Sequence, residues 1–265
     1  MLEPAEYPQL NAITATMARA AVSGRLTWQL ATVVELVDET ARAKSLVLDP
    51  PAWRGHGAGQ HVDVRLTAED GYQAQRSYSI ASGPEDHNLV LTVERLEDGE
   101  VSPYLVDELR PGDELELRGP IGGYFVWEQS SGGPLLLIAG GSGVVPFRAM
   151  LRHRIAVGGE AAVRVVYSAR SLDEVLYREE LLSLGSNEDI DVRLALTRSW
   201  PDTWQGHRGR ITPELLRDVS WPAEERPLIY ICGPTTVVEA IAGQLVDIGH
   251  DPGRIRTERF GPTGG

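Results

Sequence analysis

Leu135-Leu136-Leu137-Ile138-Ala139 runs without a break into Gly140-Gly141-Ser142-Gly143-Val144-Val145-Pro146, and a helical pattern follows over 146–157. Five apolar residues in a row, bounded by Pro134 and Gly140, mark a strand buried on both faces. A strand, a glycine loop and a helix in that order form the cradle that α/β folds use for a dinucleotide pyrophosphate. Glycines let the backbone approach the anion, and the helix start offers free N–H groups and partial positive charge. No Gly-Lys-Ser/Thr follows, so the loop is not a P-loop. Pro146 takes the place of the third glycine of GxGxxG. Proline suits the first helical turn, where its missing N–H has no intrahelical acceptor. Taken alone, the loop fits a ligand-free glycine turn equally well.

The pattern repeats downstream. Apolar runs at 163–167, 192–196 and 228–232 alternate with helical segments at 174–184, 212–219 and 236–248. Buried strands alternating with helices predict a doubly wound parallel sheet. Upstream of Ser130-Ser131-Gly132-Gly133-Pro134, which reads as a linker, the grammar differs. Short alternating or β-branched runs occur at 29–36, 43–49, 61–66, 76–80, 88–94 and 114–119, separated by turn signals such as Glu69-Asp70-Gly71 and Pro111-Gly112-Asp113. That spacing predicts a small antiparallel barrel with one helical insertion over 102–109. The expected organisation is an Ala-rich arm or helix over 1–27, a barrel over 28–129 and an α/β domain over 134–265.

Composition narrows the chemistry. The chain has 265 residues, 42% hydrophobic and 24% charged, as in a soluble globular protein. A net charge of −13 argues against nucleic acid as a partner and requires local arginines for any anionic cofactor. Cys232 is the single cysteine, so neither an intrachain disulfide nor an iron–sulfur cluster, which needs about four thiolates, fits these residues. The six histidines show no metal-binding spacing, and no metal site is expected. The longest apolar run, 135–139, is too short to span a bilayer. No signal-peptide pattern opens the chain, so a cytoplasmic location is the default expectation.

Strand ends suggest where a nucleotide lies. Residues 163–167 lead into Ser168-Ala169-Arg170-Ser171, with Asp173 and Glu174 close behind, and 192–196 lead into Thr197-Arg198. An acidic residue after the second strand favours a free ribose 2′-hydroxyl, and an arginine favours a 2′-phosphate. Arg170 and Arg198 together suit a bidentate phosphate clamp, although either alone reads as a solvated surface side chain. Cys232-Gly233-Pro234 ends the last apolar run at the mouth of such a site. The alternative for Cys232 is a buried, inert thiol.

Arg76-Ser77-Tyr78-Ser79-Ile80-Ala81-Ser82 carries a family resemblance. With the glycine loop, Cys232-Gly233-Pro234 and Thr257-Glu258-Arg259-Phe260, in that family's order, the chain resembles the ferredoxin–NADP reductase superfamily over roughly 28–260. The resemblance implies a six-stranded antiparallel Greek-key barrel that binds FAD, followed by a nucleotide-binding α/β domain. Arg76 would pair with the flavin pyrophosphate, Tyr78 would pack on the isoalloxazine and Ser79 would bond near flavin N5. Gly99-Glu100-Val101-Ser102 is similar to the family's GxxS element, with Gly99, Val101 and Ser102 at the flavin phosphates, and favours FAD over FMN. Read from the residues, Ser102-Pro103 is a helix N-cap followed by proline at N1.

Gly141, Ser142, Gly143, Val145 and Pro146 would hold the NADPH or NADH pyrophosphate. Ser168, Arg170 and Arg198 would hold the adenosine end, and Cys232, Gly233 and Pro234 the nicotinamide end. Ser79, Cys232, Glu258 and Phe260 would tune hydride transfer, with Phe260 covering the flavin. The implied activity is hydride transfer from NADPH (or NADH) to FAD, with electrons passed to a ferredoxin, an oxygenase, or a haem or molybdenum component. Alternatives are a free-flavin reductase or diaphorase, and a non-catalytic flavin-binding redox sensor. In plant-type members the final aromatic is a chain-ending tyrosine. Here it is Phe260, with Gly261-Pro262-Thr263-Gly264-Gly265 after it.

Overall fold

A computed structural model describes residues 26–261. Most of the expected N-terminal arm (1–25) and the tail 262–265 lie outside the described residues.

Six strands form the first half: β1 (Gln29–Thr40), β2 (Ala43–Asp49), β3 (His61–Thr67), β4 (Gln73–Ser79), β5 (Leu89–Glu94) and β6 (Glu114–Ile121). They pair antiparallel in the order β4-β3-β6-β1-β2-β5. β6 inserts between β3 and β1, so neighbours in space are not neighbours in sequence, as in a Greek key. A bridge between Ile80 and Leu91 joins the outer strands and closes the barrel. Alternation decides which side chains fill it: Val33, Leu46, Leu48, Val62, Val64, Leu91, Val93 and Leu117 all point inward and are buried. Each such side chain contributes roughly 1.5–3 kcal/mol of burial.

β1 continues four residues beyond the expected 29–36, because residues 41 and 42 make a tight turn and β2 zips back along β1 to the pair Thr40–Ala43. The insertion expected over 102–109 shrinks to one wide turn, Tyr104–Glu108, in which Leu109 N–H reaches Tyr104 O. Ser102 does not cap this turn. Its Oγ accepts from Leu96 N–H at 3.0 Å instead, tying the preceding loop to the helix start.

The second half is a parallel sheet of β7 (Leu135–Gly140), β8 (Val163–Ala169), β9 (Ile190–Leu196), β10 (His207–Arg208), β11 (Leu228–Pro234) and β12 (Ile255–Phe260). Its order is β10-β9-β8-β7-β11-β12. Four helices complete it: α1 (Val145–Ala156), α2 (Arg178–Leu184), α3 (Pro213–Val219) and α4 (Thr235–Asp247). Odd and even residues of the central strands face opposite layers. Leu135, Leu137, Tyr167 and Tyr230 pack with α1 and α2, whereas Leu136, Ile138, Ile229 and Ile231 pack with α3 and α4.

The helix expected over 174–184 starts late. Residues 172–174 form a separate turn, and Tyr177 takes a left-handed φ of 55° before α2 begins. Its buried phenol donates to Thr92 Oγ1 on β5, so a contact with the barrel overrides helix propensity. β12 had no strand signal, since Arg256-Thr257-Glu258-Arg259 lacks an apolar run. Pairing with β11 along its full length forms it. Among the described residues no helix is long and apolar enough to cross a membrane.

Candidate functional site

Strand order reverses at β7. β8 and β9 follow on one side, and β11 and β12 on the other. Ligands of open α/β sheets sit in the crevice at such a switch, beyond the strand C-termini. The loops that end β7 and β11 therefore flank the crevice. Gly141 adopts φ +56°, and Gly143 has no room for a side chain. A Cβ there would lie 2.1 Å from Cys232 O and 2.9 Å from Gly233 N. Gly233 in turn faces Gly140, and a Cβ on Gly233 would lie 3.2 Å from Gly140 Cα, N and O. Backbone thus packs on backbone, and α1 starts directly behind it with Pro146 in its first turn. Exposed backbone N–H groups at a helix start are the arrangement that suits a phosphate anion.

Further along the sheet edge, Arg198 N–H donates to Arg170 O at 2.9 Å. The two arginines expected to clamp a 2′-phosphate are backbone neighbours, beside Ser168 at the end of β8. The Arg170 guanidinium lies 3.8 Å from Glu174.

Register aligns the expected catalytic residues. Cys232 on β11 sits opposite Glu258 on β12, and Pro234 opposite Phe260. Cys232 is 2% exposed. Burial first, then the Glu258 charge, pushes its thiol well above the usual range. Glu258 is mostly buried, its Oε2 has no hydrogen-bond partner, and burial pushes its carboxyl up to about 7. Phe260 is 36% exposed at the end of the strand.

The barrel brings its own residues to this place. His61 opens β3 opposite Ser79 of β4, and Tyr78 pairs with Val62. The His61 Nδ1 is 3.7 Å from Glu258 Oε1, so barrel and sheet meet at these two side chains. Tyr78 is half-buried against the barrel core, and burial pushes its phenol up to about 12. Arg76, two residues back, is 54% exposed and reaches Glu100 at 3.4 Å, which Tyr72 also contacts at 3.2 Å. Arg76 and Gly99-Glu100-Val101-Ser102 are therefore adjacent, although 24 residues separate Arg76 from Glu100. A Cβ on Gly99 would lie 2.9 Å from Ser102 Oγ, so the loop is tight.

His61 and Gln60 carried no sequence signal. Gln60 accepts from Gly57 N–H at 2.7 Å and donates to Gly122 O at 2.5 Å, bracing the loop beside His61. Pairing of β3 with β4 places His61, and one sequence shows no pairing.

The halves are firmly joined. Tyr230 Oη donates to Val126 O at 2.7 Å, and Arg256 donates to the same carbonyl at 2.6 Å. Arg152 of α1 bonds Asp86 of the barrel at 3.0 Å and Glu180 of α2 at 2.8 Å.

Known proteins share this build. Residues 29–126 match the family model described as an oxidoreductase FAD-binding domain, and residues 137–243 match the oxidoreductase NAD-binding domain. Ferredoxin–NADP reductase B of Sorangium cellulosum is 34% identical over 215 residues, covering 79% of this chain and 83% of that protein. The glycine betaine monooxygenase reductase subunit of Pseudomonas aeruginosa is 31% identical over 235 residues, or 87% of this chain. The chain spans 63% of that relative's length. Among solved structures, the flavohem-like FAD/NAD binding domain of nitric oxide dioxygenase from Vibrio cholerae superposes with a TM-score of 0.79 at 28% identity, covering 88% of this chain and 99% of that one.

Proposed function

The chain belongs to the ferredoxin–NADP reductase superfamily, and on that premise we propose that it is a flavoprotein reductase. It takes hydride from NADPH, or from NADH, onto FAD and passes electrons to an acceptor protein. The observation that carries this reading is the meeting of His61 and Ser79 from the barrel with Cys232 and Glu258 from the sheet.

The residues present fit both groups. Arg76 offers an exposed guanidinium fork beside the tight Gly99–Ser102 loop, suited to a pyrophosphate. Tyr78 and Ser79 follow on the same strand, in reach of a ring system. The backbone cradle at Gly141, Ser142, Gly143, Val145 and Pro146 suits a second pyrophosphate, where a side chain would fill the space. A bound flavin supplies the hydride acceptor and the means to release electrons singly. This chain supplies orientation and charge. Ser79 offers a hydroxyl beside the reacting edge. Cys232, buried with its backbone carbonyl packed against Gly143, would limit how deep a nicotinamide enters. Glu258 presents a carboxyl where positive charge develops as hydride leaves. Phe260, exposed at the end of β12, would cover a bound flavin ring and would have to give way to a nicotinamide. Asp63, by contrast, serves the barrel. Burial opposes its charge, but Ser77 and Arg118 bonds hold its carboxyl below the usual range.

Electrons held by a bound flavin would have to pass to a centre outside these residues, since one cysteine cannot hold a cluster. The acceptor we propose is an oxygenase component, as named for the Pseudomonas relative, or a small electron carrier of the ferredoxin class, as named for the Sorangium one.

Anaerobic spectra of the purified protein test this reading. A flavin absorbance that survives gel filtration, bleaches with NADPH and releases a mass equal to FAD is the expected result. Flavin lost on the column would favour a free-flavin reductase, and bleaching without turnover on ferricyanide a redox sensor. Ser79→Ala should slow bleaching about 10-fold or more, the range of a lost positioned hydrogen bond.

A further inference from the structure

We propose that His61 is a positioning residue for hydride transfer, sharing one proton with Glu258 across the two halves and so setting the charge that this carboxyl presents. The inference rests on the reading above that Glu258 faces the nicotinamide.

The geometry is specific. His61 Nδ1 and Glu258 Oε1 are 3.7 Å apart, and both side chains are about one-quarter exposed. Glu258 Oε2 is buried without a partner, so an isolated carboxylate would be costly there. Gly122 lies beside the imidazole at its Nδ1 edge. A Cβ at Gly122 would lie 3.5 Å from His61 Nδ1, and Gln60 anchors the Gly122 carbonyl.

Among the neighbouring groups, the Asp63 charge also acts on the imidazole and raises its proton affinity against burial. From β11, Cys232 faces the pair as a buried thiol. On β3, Asp63 is committed to Arg118 at 2.6 Å and Ser77 at 2.7 Å. From β4, Ser79 carries no charge. On β12, Arg256 bonds Val126 O and Tyr230 Oη, and Arg259 bonds Glu239 of α4. The Gly122 loop brings no charged group to the imidazole.

Burial acts on the partners in opposite directions. It pushes Glu258 up to about 7 and His61 below its ordinary value, so their proton affinities converge. Two groups 3.7 Å apart with converging affinities would titrate as a pair. One shared proton leaves the pair neutral overall, whether it is written as acid and imidazole or as carboxylate and imidazolium. The second form puts a negative charge beside the ring that turns cationic on losing hydride, with no net charge added to the crevice. Moving the proton from Glu258 Oε1 to His61 Nδ1 requires the two atoms to close from 3.7 Å to hydrogen-bond distance, and no bond between heavy atoms changes.

The test is a titration of holoenzyme labelled with 13C at Glu Cδ and 15N in the imidazoles, followed by NMR, with flavin-reduction rates measured across the same pH range. In the parent protein the Glu258 and His61 signals should move together in two steps. His61→Gln keeps a polar side chain but cannot take the proton. It should raise the Glu258 midpoint by about one pH unit, a ten-fold change in proton affinity. The rate–pH limb should move with it. His61→Asn serves if the glutamine variant does not fold. An unchanged Glu258 midpoint in a folded, flavin-loaded variant overturns the proposal and leaves the reductase reading intact. A Glu258→Gln variant with the parent's hydride-transfer rate at every pH overturns the proposal and the role of Glu258 in the step, whereas a parent protein whose flavin NADPH does not bleach overturns the reductase reading itself.

Discussion

Gly143 and Cys232 are in backbone contact across the switch point of the sheet. A Cβ on Gly143 would fall 2.1 Å from the Cys232 carbonyl oxygen and 2.4 Å from its carbonyl carbon. No side chain fits without moving β11 or the glycine loop, and both edges of the proposed nicotinamide site would shift with them. Gly143→Ala should therefore raise KM for the nicotinamide nucleotide by about ten-fold or more, since 1.4 kcal/mol is a factor of ten and overpacking strain costs about 1–3 kcal/mol. Flavin content should be unchanged, because the barrel is untouched. Steady-state kinetics beside a flavin-to-protein absorbance ratio check both points. A normal KM would mean that this contact does not shape the site.

Glu258 makes stability depend on pH in a defined direction. Its carboxyl is pushed by burial from the ordinary 4.5 to about 7 in the folded chain. Between those values the folded form holds a proton that the unfolded form has released. Stability must then fall as pH rises across that window and level off above it. Glu258→Gln is neutral throughout and removes the loss. Urea unfolding at pH 5 and pH 8 should show the variant gaining on the parent protein between the two, by at most on the order of 3 kcal/mol. A gain independent of pH would mean that the native carboxyl titrates in the ordinary range.

The barrel and sheet were legible because their signals are local. Alternation gives β2, β3 and β5 nearly to the residue, and the apolar runs give β7, β8 and β11. The glycine loop and Cys232-Gly233-Pro234 could be placed for the same reason, since they end strands that periodicity identifies. What was not legible depends on partners far away in sequence. β12 has no apolar run and exists through its register with β11. The late start of α2 follows from the Tyr177 phenol reaching Thr92. Ser102, with the composition of an N-cap, bonds Leu96 instead. His61 looked like any other histidine until pairing of β3 with β4 set it opposite Ser79 and beside Glu258.

Glu180 links the two helices of one layer to the barrel. It accepts from Arg148 and Arg152 at 2.8 Å each, and Arg152 also reaches Asp86. Burial opposes its charge, but the bonds from Arg152 and Arg148 prevail and hold the carboxyl below its ordinary value. A carboxyl lowered in this way stabilises the fold above the unfolded pKa and stops doing so as pH falls through the folded one. Glu180→Gln should cost about 1–3 kcal/mol at pH 7, because it strips two guanidinium groups of their charge partner. That cost should shrink below about pH 4, where the parent carboxyl also takes up its proton. Thermal unfolding of both proteins at pH 7 and at pH 3.5 measures the difference. A cost that stays constant would assign Glu180 a packing role only.

Arg170 and Arg198 meet through their backbones, yet they are not equivalent. The Arg170 guanidinium lies 3.8 Å from Glu174, four residues on. Arg198 is exposed and, among the described residues, pairs with no carboxylate. A 2′-phosphate would thus engage Arg198 without competition, whereas Arg170 must first leave Glu174. A charge-assisted hydrogen bond contributes about 1.5–3 kcal/mol, which corresponds to roughly ten- to a hundred-fold in binding. Arg198→Ala should lower kcat/KM for NADPH by about that factor and change the NADH value by less than about two-fold. Arg170→Ala should have a smaller effect in the same direction. Glu174→Gln, which frees Arg170, should improve NADPH use slightly. Parallel kinetics with the two nucleotides separate these outcomes. Equal losses with NADPH and NADH would remove the arginines from 2′-phosphate recognition and leave them a role in the pyrophosphate or in the fold.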